Sequence, residues 1–379
     1  MYELKPLNNM LATIDRLVGR ASIRKGQSII ISMAVLGMMI TSFSKFSFFN
    51  EILSKQGISS RMVSVTGSGL FFAFLILIFI SLDRNTDAEV KFNAWLGIPL
   101  FLIVVSYMIT GIAEKAPKQI VWALVYSFVF VPISYRLANR DNRKIFVNGL
   151  VYGIAAFGIL VLVLNVVFSP VVVRNSYYGP RYTGVMTNPT ILGYNLNTFI
   201  AAYAYIIYKK IFVDKADFRK LSNGLVLAIA IWGISMSWCA ILLTKSRGSF
   251  LGILGVMFLF AIMCIKGLVK VRIGAKNLVT ILVIAVVMMM SAYKFSDSIL
   301  QRNLRALNIK GHYTITHMMF GRIQEMSNFK NVEEYHFDYM EPKNLTEAQR
   351  KVWRDLDKLT THRIWIWYIY SQHLGFIGH

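Results

Sequence analysis

Apolar residues fall along this chain in long, nearly unbroken runs separated by short polar links. A soluble domain alternates inward and outward faces, whereas these runs offer no polar face to water and read as membrane-crossing helices. Nine are predicted, at about 28–44, 66–82, 93–112, 119–135, 146–168, 190–208, 224–244, 249–265 and 276–293. Their lengths fit a hydrocarbon core of roughly 30 Å, the shorter ones needing anchors at the interface. Ahead of them, Leu7, Met10, Leu11, Ile14, Leu17 and Val18 recur at helical spacing with Arg16 and Arg20 opposite. Residues 1–26 are therefore expected as an amphipathic helix on the inner leaflet. No small-residue cleavage pattern follows the first run, so no cleavable signal is expected. After the ninth run a polar segment of mixed charge, 294–362, is long enough for a small helical lobe. The fold expected is all-α: a polytopic bundle over 27–293 with an extramembrane lobe.

Charge gives the bundle an orientation. The formal net charge is +22, which by itself would also suit a nucleic-acid surface, but the Lys and Arg sit in clusters between the apolar runs. The clusters at 5–25, 84–91, 136–144, 209–220 and 266–276 hold 20 of them, against 9 at 45–61, 115–118, 174–181 and 245–247. The richer set falls on one side throughout, so the N-terminus is expected in the cytoplasm and no nucleic-acid partner is implied. Cys239 and Cys264 lie inside apolar runs, about 15 Å apart in depth, and read as packing residues rather than a disulfide.

Two links on the poorer, outer side hold the candidate chemistry. The first is Gly179-Pro-Arg-Tyr-Thr-Gly-Val-Met-Thr-Asn-Pro-Thr-Ile-Leu-Gly193. Asn188 is a good helix N-cap and Pro189 is pre-set for a first helical turn, so a short loop is expected to hold Arg181 above a helix start, with Gly184 between them. The second is Leu243-Thr-Lys-Ser-Arg-Gly-Ser-Phe250, a turn short enough to make its two helices antiparallel neighbours. Here Ser246 is placed to cap the next helix, Lys245 to snorkel, and Arg247 to face an anion together with free backbone N–H groups. Two guanidiniums on the face that the positive-inside bias disfavours suit a diphosphate at the membrane surface.

Arg-x-Thr-Gly-x-x-x-Asn-Pro before an apolar helix, with Leu-Thr-x-Ser-Arg-Gly at a helix hairpin, resembles the O-antigen ligase and O-antigen polymerase superfamily. A third mark of that family is Arg-x-x-x-Trp leading to a Gly-x-Gly-like turn. Arg363 and Trp367 have that spacing, and Gly378-His379 would open the turn. Residues 363–379 then hold an incomplete C-terminal motif. The resemblance implies a helical fold like that of the GT-C enzymes and a metal-independent, inverting glycosyltransferase of the bacterial cytoplasmic membrane, using no cofactor. Such enzymes move a glycan from undecaprenyl diphosphate to a glycan or lipid acceptor on the outer face. By the match, Arg181 and Arg247 would hold the diphosphate and stabilise it as it leaves; Arg363 and Trp367 would bind substrate. Gly184, Asn188, Pro189, Ser246 and Gly248 would be structural. The family's base, in a His-Asn-like motif, would fall beyond His379; a truncated sequence is expected, the alternative being that a histidine of the 294–362 lobe substitutes.

Other polar residues read more plainly. His312 and His317 lack zinc-ligand spacing with a third partner, and His336 and His362 read as solvated. Trp365, Trp367, Tyr368 and Tyr370 suit a sugar platform and an interfacial belt equally. Asn165, Asn195 and Asn197 read as helix–helix glue. The alternative function is a transporter or flippase of lipid-linked glycan, which would place charge or broken helices near mid-membrane. A non-catalytic scaffold would tolerate loss of both arginines. Ligase and polymerase share these motifs, and the sequence leaves the choice between them open.

Overall fold

A computed structural model describes residues 26–46, 55–57, 59–83, 102–109, 131–137, 139–168, 173–176, 179–186, 188–244, 246–271 and 273–306, with isolated positions at 112–130 and 346–350. The expected amphipathic N-terminus, most of the 294–362 lobe, and Arg363 and Trp367 with the rest of 363–379 lie outside these residues. The chain divides into two compact units, residues 1–5, 91–132 and 320–379 in one, and 6–90 and 133–319 in the other. In the first, residues 102–109 are helical. The second holds both arginine motifs.

Its helices are α1 (Gln27–Phe46), α2 (Ser60–Ser81), α4 (Arg140–Phe168), α5 (Pro189–Tyr208), α6 (Leu221–Thr244), α7 (Arg247–Lys270) and α8 (Ala275–Ala306), and it takes all but the first two residues of the short α3 (Val131–Arg136). Four stretches are long and apolar enough to cross a membrane: Arg140–Val167, Leu221–Thr244, Gly248–Lys270 and Ala275–Ile299. Gln27–Phe43 and Val65–Ser81 are shorter apolar helices. These helices make it a membrane protein. On α7 and α8, Leu251, Leu254, Phe258, Val279, Leu282, Val283 and Val286 are exposed, as a lipid-facing surface requires.

The chain is all-α in class, as expected, with one short hairpin in the link that carries Arg181. Residues Val173–Ser176 (β1) and Gly179–Tyr182 (β2) pair as an antiparallel hairpin, so Arg181 stands in a strand rather than in an irregular loop. The hairpin joins α4 to α5, and pairing satisfies backbone groups that a bare link would leave open. The helix of the ninth run extends past 293: α8 continues to Ala306, with Ser296 and Ile299 carrying on, at helical spacing, the buried stripe of Ala292.

Helix α5 is the centre of the second unit. Leu192, Leu196, Phe199 and Ile200 are fully buried, and α4, α6 and α7 all pack on it. Close approach is set by small residues. Tyr203 of α5 lies between Gly158 of α4 and Gly233 of α6, where added Cβ atoms would overlap its ring or hydroxyl. Its hydroxyl donates to the Ala155 carbonyl at 2.9 Å. Helices α1 and α4 meet through Gly149 and Gly153, four residues apart, where Ser32 Oγ donates to the Gly149 carbonyl at 3.0 Å. Arg136, one of the predicted inner-side cations, is 1% exposed and closes the end of α2, its Nη1 donating to the Phe79 and Leu82 carbonyls at 2.7 and 2.8 Å.

Candidate functional site

The hairpin is tied down by one side chain of α4. Asn165, 3% exposed, accepts a hydrogen bond at its Oδ1 from the Val185 backbone N–H at 2.8 Å. Its carboxamide occupies the space that a Cβ on Gly184 would need. Gly184 has φ +56, a left-handed conformation that disfavours any residue with a side chain. The motif glycine therefore has two reasons to be glycine: the turn it makes and the carboxamide seated against it. Thr183, Gly184, Val185 and Met186 are all buried, so the turn that follows β2 is packed into the bundle.

Helix α5 begins where the sequence pattern places it. Asn188 is the N-cap, its side chain accepting from the Thr190 N–H at 2.8 Å, and Pro189 opens the first turn. Helix α7 starts at Arg247, and Ser246 holds its N-cap position. Ser246 makes no side-chain cap bond, however; its Oγ accepts instead from Ser249 Oγ at 2.9 Å. Its own N–H donates to Thr244 Oγ1 at 3.2 Å. Lys245 lies outside the described residues.

The two motifs meet. A Cβ on Gly193, one turn into α5, would overlap Ser249 Oγ and lie 3.6 Å from Ser246 Cβ. One turn further, Asn197 Nδ2 donates to the Ser249 carbonyl at 2.9 Å, and Gly252 makes room for the Asn197 carboxamide. The start of α7, with Arg247 in its first turn, is thus pinned against the start of α5 that follows the Arg181 hairpin. Gly248 stands beside the Tyr194 hydroxyl, 3.6 Å from where its Cβ would be.

Below the hairpin lies a cavity of about 10 Å³, room for one water-sized group, bordered by Asn165, Tyr182, Met236 and Ser296 among others. Asn165 Nδ2 and the Tyr182 hydroxyl are buried there without a hydrogen-bond partner among the described residues. Burial pushes the Tyr182 hydroxyl above the usual tyrosine pKa, with the positive charge of Arg302, from the extension of α8, drawing it partly back. Among the described residues no three His, Cys, Asp or Glu side chains gather as metal ligands.

Asn197, read as helix glue, does join α5 to α7. Sequence reading missed two of the residues that build this site: Asn165, also read as helix glue, latches the turn after the hairpin, and Ser249 reads only as part of a turn. Asn165 stands twenty residues before the amide it holds, and Asn197 fifty-two from its carbonyl, so no local spacing announces either pair. No family model, no curated protein and no solved structure matches the chain.

Proposed function

We propose that this protein is a membrane glycosyltransferase that moves a glycan from undecaprenyl diphosphate to a glycan or lipid acceptor on the outer face of the bacterial cytoplasmic membrane. It is of the O-antigen ligase or surface-polysaccharide polymerase type, metal-independent and inverting. The finer topology belongs to the same proposal: nine or ten spans in a GT-C-like arrangement with the N-terminus inside. The observation that carries the reading is the pinning of the α7 start to the α5 start through Gly193, Ser249 and Asn197. That contact gathers into one neighbourhood the two motifs on which the family resemblance rests.

In the proposed reaction the acceptor oxygen bonds to the anomeric carbon as the bond from that carbon to the diphosphate oxygen breaks. The bonding pair leaves on the diphosphate, and the hydroxyl proton passes to a base. Arg181 and Arg247 act on the leaving group, where two guanidinium forks meet charge that grows as the bond breaks.

The test is Arg181→Ala and Arg247→Ala in cells that display the glycan. Each is expected to reduce polymer or ligated glycan by ~100-fold or more while the protein inserts at its normal level. Lys at either position rescues poorly, because a point charge lacks the planar fork. Unchanged glycan ladders from both alanine variants at wild-type protein level refute the assignment. Purified protein in vesicles, with donor and acceptor both outside, separates it from a flippase: transfer without passage of lipid-linked glycan across the bilayer is expected.

A further inference from the structure

We infer that Arg174, which neither motif contains, is a further anion-binding residue of this site and grips the substrate's phosphates jointly with Arg181. The inference rests on the reading under Proposed function and deepens it. In the hairpin register Arg174 is the direct partner of Arg181, Asn175 of Pro180, and Ser176 of Gly179. Two residues connect the strands, so Ser176 and Gly179 form the closing hydrogen-bonded pair. Ladder alternation then makes Asn175–Pro180 a non-hydrogen-bonded pair, where the N–H that proline lacks is not needed. Arg174–Arg181 is the next hydrogen-bonded pair, with backbones about 5.5 Å apart and both residues on one face of the ladder.

Like charges directly opposed weaken a hairpin. The sequence around the pair offers no counter-charge: residues 169–199 contain no Asp or Glu, and neither do residues 243–250, which add Lys245 and Arg247. The one acidic residue of α8 is Asp297, against Lys276, Lys294, Arg302 and Arg305 on the same helix. Tyr182, beside Arg181, is buried with its hydroxyl lacking a partner among the described residues, and the charge of Arg302 acts on that hydroxyl. The turn that follows β2 is nonetheless latched to α4 by Asn165. Two arginines set opposite one another in the strand register, in a stretch of sequence without a carboxylate, suit a multivalent anion. The tetrahedral oxygens of adjoining phosphates can accept from both forks, which removes the repulsion.

The experiment uses the full chain purified in detergent, with inorganic pyrophosphate as probe and binding followed by calorimetry. Arg174→Gln, Arg181→Gln and Arg247→Gln are each expected to weaken binding ~10-fold or more, the loss of a charge-assisted pair of bonds. Lys220→Gln, an exposed inner-side cation, is expected to bind as wild type. Arg174→Lys restores little if the fork is what binds; it also serves as the second variant should Arg174→Gln fold poorly. Without pyrophosphate, hydrogen exchange over 179–188 is expected to slow in Arg174→Gln, since the opposed charge is gone. With pyrophosphate, protection rises in the wild type and not in the variant. Wild-type binding by Arg174→Gln or Arg174→Lys alongside weak binding by Arg181→Gln overturns the role of Arg174 and leaves the function standing. Wild-type binding by all three Gln variants overturns the function itself. Vesicles containing undecaprenyl diphosphate and vesicles of phosphatidylglycerol distinguish the source of the phosphate. Equal competition by both against pyrophosphate would show headgroup anchoring and overturn the substrate role.

Discussion

Gly184→Ala tests whether the Arg181 hairpin is held as the structure shows. The new methyl group meets two obstacles. Alanine in the left-handed conformation at φ +56 costs roughly 1–2 kcal/mol. Its Cβ would also overlap Asn165 Oδ1 and lie 3.0 Å from Asn165 Cγ, so the carboxamide must leave the Val185 N–H. Losing that bond in a buried setting costs about 1–3 kcal/mol. Together these favour local opening of the hairpin by about 2–5 kcal/mol, so the Val185 amide should exchange at least ~30-fold faster in a mass-spectrometric hydrogen-exchange measurement over 179–188. The two contributions separate in a double-mutant cycle. Asn165→Ala alone removes the latch and the obstacle at once, and in that background Gly184→Ala should cost only the ~1–2 kcal/mol of its backbone conformation. Strict additivity of the two changes, to within about 0.3–0.5 kcal/mol, would show that Asn165 and Gly184 do not act on one another and would refute the latch.

Two further outcomes follow from the same neighbourhood. Gly193→Ala forces a methyl against Ser249 Oγ and Cβ, overpacking worth about 1–3 kcal/mol, and should lower both the thermal midpoint in detergent and the transfer rate. Pairing it with Ser249→Ala should return part of the midpoint, and no recovery at all would mean that the helices are not in contact there. Tyr182 is favoured as the neutral phenol in the folded chain, so its contribution to stability is fully present below pH ~10 and is lost as the pH rises toward its elevated folded value. Tyr182→Phe should therefore flatten the alkaline fall in stability by up to ~1.4 kcal/mol per pH unit, measured as the difference between the two denaturation profiles; superimposable profiles would contradict the burial of the hydroxyl.

What could be read without coordinates was local. Apolar runs announced the helices because lipid leaves a membrane-crossing segment almost no other backbone to adopt. Asn188-Pro189 announced the start of α5 because a cap and a pre-set φ act within one turn. Where run and helix parted company, at α8, hydropathy saw the end of an apolar surface while the helix went on by burying one stripe: Ala292, Ser296 and Ile299. The hairpin escaped notice for a related reason. Its pairing joins residues such as Val173 and Tyr182, whose short strands are too brief to show an alternating pattern.

The sequence by itself determined that this is a helical membrane protein, which links carry its arginines, and where the helices after those links begin. These follow from solvation of the backbone and from bonds that span a few residues. Only the tertiary structure decided that Asn165 seats against Gly184, that Gly193 meets Ser249, and that Arg174 stands across from Arg181. Such pairings depend on how closely whole helices and strands approach, which is set by glycines and carboxamides far apart in the chain.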